Sequence, residues 1–159
     1  MNFSIICVGR LKDKFFEDAS AEYIKRIRAY GKISVTEIPA VNLPDNPSDT
    51  EIKKALKKEA EAILSKIPSR SVVVPMCIEG KLLSSEELAQ VFDKSAIDGN
   101  SEIVFIIGGS YGLDESVKSV GRLKLSMSKM TFPHRLARVM LLEQIYRACT
   151  INAGKTYHK

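Results

Sequence analysis

Apolar positions along the chain switch between two periods. Short apolar-rich runs at Phe3 to Val8, Ile33 to Ile38, Ser71 to Cys77, Glu102 to Ile107 and Leu123 to Ser126 predict strands. Runs with little polar alternation mark strands covered on both faces. Between them the period becomes 3.6. From Asp13, the residues Phe16, Ala19, Tyr23, Ile27 and Tyr30 share one helical face, and Gly31 ends that helix. Three prolines between Pro39 and Asp49 predict a loop. Ser48 with Glu51 forms a capping box for a helix that buries Ile52, Ala55, Leu56, Ile63 and Ile67, and Pro68 stops it. Ser84 with Glu87 caps a third helix, whose apolar face is Leu88, Val91 and Phe92. A short helix from Asp114 to Val120 follows a glycine-rich loop, and Pro133 opens a long helix reaching about Ile151.

Alternating strands and helices of this kind predict an α/β fold: a mainly parallel sheet of about five strands with helices on both faces. At 159 residues, the chain is expected to form a single domain over residues 1–159. The longest apolar runs are too short to cross a bilayer. The first residues lack a basic region and a small-residue cleavage site, so a cytoplasmic location is expected. Cys7, Cys77 and Cys149 are odd in number and far apart, which argues for free thiols rather than a disulfide framework or a zinc site. No HxH, HExxH or acidic cluster supports a metal.

A net charge of +5, from 24 Lys and Arg against 19 Asp and Glu, is compatible with an anionic partner such as nucleic acid. In open parallel sheets, ligands bind beyond the carboxyl ends of the strands. Three loops fall there: Met76 to Lys81, Gly108 to Gly112, and Met127 to Phe132. The second is neither a Walker A sequence nor a GxGxxG fingerprint. Its glycines admit close backbone approach to a bulky ligand or simply make a tight turn. The third offers two methionines, two hydroxyls and free amides ahead of a helix, a setting that suits an adenine; its methionines equally suit core gaps. The long helix carries Arg135, Arg138, Glu143 and Arg147 among apolar residues on more than one face, which predicts burial against the sheet and against a partner subunit. Its charges read as core or interface pairs. His134, in the first turn, is expected to be neutral. Tyr157-His158-Lys159 combines stacking, acid–base and phosphate-binding groups, although disorder is the default for such an end.

Taken together, these residues resemble the RlmH family, small SPOUT-class methyltransferases that act on a pseudouridine of large-subunit ribosomal RNA. The resemblance spans essentially the whole chain. It is carried by Val8-Gly9-Arg10-Leu11-Lys12, by Ile106 to Leu113, by Leu125 to Arg138, by Leu142 to Ala148 and by the terminal Tyr157-His158-Lys159. It implies a C-terminal trefoil knot, a homodimer, and S-adenosylmethionine as methyl donor. By position, Met76, Gly108, Met127, Ser128, Lys129, Met130, Thr131 and Phe132 would contact that cofactor. The tail with Tyr157 and His158 would close over the target base, from the other subunit. Cys77 stands where many relatives carry Asp, and Thr156 where they carry Pro; neither change removes a group the transfer needs.

The expected reaction is methylation of N3 of a pseudouridine in 23S ribosomal RNA on the assembled 70S ribosome. N3 of a uracil ring is a poor nucleophile until its proton leaves, so a base or a cation is wanted near the methyl. His158 is expected as base or proton relay and Tyr157 as the positioning group. Arg10, Arg147 and Lys159 are expected to hold phosphate or the ring anion. The competing readings are a ribosome-binding protein without turnover, a methyltransferase of transfer RNA, and a nucleotide-dependent enzyme of ordinary doubly wound type. The last lacks its phosphate fingerprint.

Overall fold

The computed structural model describes all residues, 1–159. Five strands, β1 (Asn2–Val8), β2 (Ile33–Ile38), β3 (Ser71–Leu82), β4 (Glu102–Ile107) and β5 (Leu125–Ser126), form one sheet in the order β2-β1-β4-β3-β5. Every pairing is parallel. β1 and β4 lie inside, and their side chains are buried on both faces. That burial explains their unbroken apolar runs.

Alternate residues of the central strands face two separate cores. Phe3, Ile5, Val72, Val74, Ile103 and Phe105 point to one side. There they meet helices α1 (Lys14–Ile27), α3 (Ser85–Ile97) and α5 (His134–Asn152), with α5 packed between the other two. Ile6, Val8, Val73, Val104 and Ile106 point to the other side, with Ala60 and Ile63 of α2 (Asp49–Leu64) and Val117 of α4 (Glu115–Val120). Both capping boxes form: the Ser48 and Ser84 hydroxyls accept from the Glu51 and Glu87 amides, and the glutamates accept in return.

The observed elements depart from the expected ones at their ends. α1 stops at Ile27, and residues 28–30 form a turn before Gly31. α2 stops at Leu64, short of Pro68. The largest difference is β3, expected to end at Cys77, which continues to Leu82. Its first half pairs with β4. After a register shift, Lys81 and Leu82 pair with Leu125 and Ser126 of β5. A strand covered on one side only in its second half has no continuous apolar signal there, and Ile78 and Leu82 are exposed. β5 itself is two residues long, shorter than expected.

Candidate functional site

The carboxyl ends of β3, β4 and β5 and the start of α5 enclose a cavity of about 820 Å³, within the size range of small-molecule and cofactor sites. Its wall combines all three candidate loops. Met76 to Glu79 come from β3, Gly108 to Leu113 follow β4, and Met127, Ser128, Met130, Thr131 and Phe132 follow β5. His134 and Ala137 of α5 close the inner side. Of the eight cofactor candidates, seven line this cavity; Lys129 is exposed and does not.

Backbone geometry shapes the cavity. A Cβ on Gly108 would run into the Gly112 carbonyl, so the β4 loop can fold back on itself only because residue 108 has no side chain. Gly109 and Gly112 then form an isolated bridge. In the third loop, the Ser128 hydroxyl accepts from the Met130 amide at 3.0 Å. The amides of Ser128, Lys129, Thr131 and Phe132 donate to no group within the chain. Free main-chain donors beside apolar side chains fit an adenosyl group, whose ring edge carries acceptors and whose faces are flat and apolar.

One ion pair lines the cavity, and two others fasten the start of α5. Lys118 donates to Glu79 at 2.5 Å, tying α4 to β3 on the cavity wall. The hydrogen bond to Lys118 holds the Glu79 carboxyl below its usual range. At the base of α5, Arg138 is 4% exposed. Its guanidinium donates to Glu37 at 2.9 Å and to the Gly9 carbonyl at 3.0 Å. Arg135 pairs with Asp13 at 3.2 Å. These contacts make both arginines structural pairs, as expected. Burial pushes the His134 imidazole down, and Arg135 and Arg138 push it further; it stays neutral, also as expected. Arg10 is exposed, one residue beyond Gly9, which approaches His134.

The tail residues lie elsewhere. Gly154, at φ +63°, ends α5. The Lys155 amide donates back to the Thr150 carbonyl at 2.9 Å, a Schellman closure that reverses the chain. The tail is thus folded rather than disordered. Tyr157 packs edge-on against Tyr146, with centroids 4.7 Å apart, and lies under the Arg147 guanidinium. Its hydroxyl donates to Glu143 at 3.0 Å, and Arg147 donates to the same carboxylate oxygen. Burial and then Glu143 push the Tyr157 phenol up to about 12. It remains a hydrogen-bond donor at neutral pH and is no base there. His158 sits between Arg147, 3.3 Å from Nδ1, and Glu86, 2.8 Å from Nε2. Arginine only donates, so Nδ1 accepts and Nε2–H points at Glu86. Lys159 is exposed beyond it.

Cavity and tail cluster therefore sit at opposite ends of α5. Thirteen residues separate His134 from Arg147, about 20 Å of helix. Within one chain, the structure brings the cofactor candidates together and leaves Tyr157, His158, Arg147 and Lys159 apart from them. Glu86 carries no motif that singles it out, and Glu143, named above only as one of the charges of the long helix, gains its hold on the tail from a fold-back seen only in three dimensions. No helix is long and apolar enough to cross a membrane.

Comparison with known proteins agrees with this arrangement. A family model described as "Predicted SPOUT methyltransferase" matches residues 1–158. A protein of Methanococcus maripaludis strain C5, provisionally named ribosomal RNA large subunit methyltransferase H, is 48% identical over 159 residues, covering 100% of both chains. Both matches span essentially the whole chain. The chain belongs to the SPOUT methyltransferase family.

Proposed function

We propose that this chain methylates large-subunit ribosomal RNA, using S-adenosylmethionine held in the β3–β4–β5 cavity. The observation that carries this reading is the convergence of seven position-matched residues on one cavity that presents free main-chain donors. The relative's name indicates the class of RNA. The finer assignment follows the resemblance: N3 of a pseudouridine in 23S RNA, on the assembled 70S ribosome in the cytoplasm. S-adenosylmethionine supplies a methyl group already activated on a sulfonium. The protein's work is then alignment and removal of the N3 proton.

In this reading the free amides of the loop after β5 and Met76 would hold the adenosyl group, while Gly108 would let the backbone approach it. His158 receives the N3 proton on Nδ1, which must first part from Arg147. Arg147, Arg10 and Lys159 hold phosphate or the developing ring anion. Tyr157, fixed by Glu143, positions the base. The separation along α5 supports a homodimer, with a C-terminal trefoil knot in each subunit, in which the tail of one lies over the cavity of the other. The partly exposed Leu136, Val139 and Met140 on α5 supply an apolar face for it.

The decisive measurement is transfer of radiolabelled methyl from S-adenosylmethionine to whole ribosomes taken from cells lacking this protein. Label in large-subunit RNA, mapped to one pseudouridine, is expected. Label in transfer RNA alone, or cofactor-independent ribosome binding without turnover, would overturn the assignment.

A further inference from the structure

Helix α2 carries Lys53, Lys54, Lys57 and Lys58, all exposed. Lys53 and Lys57 stand one turn apart, as do Lys54 and Lys58, so the four ammonium groups form two adjacent rows on one face. The buried positions Ala55, Glu59 and Ile63 occupy the opposite side. None of the four lysines takes part in any ion pair of the molecule. α1 shows the contrast: there Lys14 pairs with Asp18 and Arg26 with Glu22. Asp49 and Glu51, one turn before Lys53 and Lys54, and Glu61, one turn beyond Lys57, form no ion pair either.

Like charges four residues apart disfavour a helix, so the stripe does nothing for the stability of α2. Its position suggests what it does instead. α2 packs against α4 on the sheet face away from α1, α3 and α5. Asp114, the N-cap of α4, directly follows the cavity residue Leu113. Lys118 of α4 lines the cavity itself, so the lysine face of α2 stands one helix away from the cavity wall. Two rows of exposed ammonium groups outside any ion pair, on the helix next to the one that lines the cavity, match a polyanion running past the reacting base.

We propose that the lysine face of α2 is a docking surface for the phosphate backbone of the RNA that flanks the target base. This rests on the proposed function and extends the RNA contacts to the sheet face opposite the tail cluster. These contacts position the substrate without reading its sequence. Counterions released from each contacted phosphate make binding fall with salt, with a log–log slope of about 0.7 to 0.9 per contact.

The test measures binding of the intact protein to ribosomes from cells lacking it, across a series of salt concentrations. Lys53→Gln/Lys57→Gln is compared with Lys25→Gln/Lys94→Gln, which removes equal charge from α1 and α3 on the other sheet face. All four side chains are exposed, so folding is preserved. The α2 variant is expected to bind several-fold more weakly, with its salt slope reduced by about 2 and its affinity for S-adenosylmethionine unchanged. The control is expected to keep the original slope. Equal slopes for the α2 variant and the unaltered protein would overturn the lysine face alone, as would an equal loss in both variants. Absence of ribosome binding by the unaltered protein would overturn the proposed function as well.

Discussion

The most demanding residue energetically is Arg138, an almost fully buried cation. Burying a charge is tolerated only when it is paired and hydrogen-bonded. Glu37 and the Gly9 carbonyl meet that need at the two terminal nitrogens, while Nε is buried without a partner, and they fasten the ends of β1 and β2 to the first half of α5. Glu37→Gln would leave the guanidinium without its counter-charge. It is expected to lower unfolding stability by about 3 kcal/mol, near the low end for a broken buried pair because Glu37 still meets water. Urea titration would show this as a lower midpoint at unchanged slope. The double change Glu37→Gln/Arg138→Met should recover part of the loss, because no orphan charge remains.

His134 makes a pH prediction at the same scale. In the folded protein its imidazole is held below the ordinary 6.5, whereas the unfolded chain protonates near that value. The unfolded state then binds more protons as pH falls through 6.5, so acid removes stability. His134→Asn should therefore lose less thermal stability than the unaltered protein between about pH 7.5 and 5, measured without ligand. Parallel losses would show that the imidazole takes its proton without penalty.

Among the elements, the second half of β3 decides the shape of the site. It runs past its partnership with β4 and folds onto β5, bringing Met76 to Glu79 over the third loop. That contact needs Gly80, because a Cβ there would lie 2.6 Å from the Leu125 carbonyl carbon. Gly80→Ala should push β5 and the loop after it away from β3. Calorimetric titration is expected to show weakened binding of S-adenosylmethionine, alongside a lowered melting temperature. Unchanged affinity would mean that β3 and β5 do not jointly set the cofactor cavity.

Across the whole molecule, the separation of cavity and tail governs function. If each active site takes its cavity from one subunit and its tail from the other, two inactive variants should complement. Gly108→Val blocks the cavity by clashing with Gly112, and His158→Ala removes the proposed proton acceptor. Each homodimer is expected to be inactive, while mixed dimers purified through two different tags regain partial methyl transfer. Inactive mixed dimers that still bind cofactor would return the tail to its own chain.

Much of this protein was legible before any fold was known, because the signals are local. The caps at Ser48 and Ser84 need only residues three apart. The doubly covered strands β1 and β4 announce themselves by apolar continuity, and the three cavity loops follow from where parallel strands end. Element ends were less legible: β3 extends to Leu82 through residues with no strand pattern, because a late partner, not the residues themselves, supplies the hydrogen bonds. The tail shows the limit most clearly. Asn152 to Lys159 is polar and reads as disordered, yet Gly154 reverses it and sets Tyr157 and His158 against Arg147, Glu143 and Glu86. Local residue patterns settle which elements form and where the parallel strands end. Which distant charges pair, and how far the cavity stands from the tail cluster, emerge only on folding, because those outcomes depend on contacts between residues far apart in the chain.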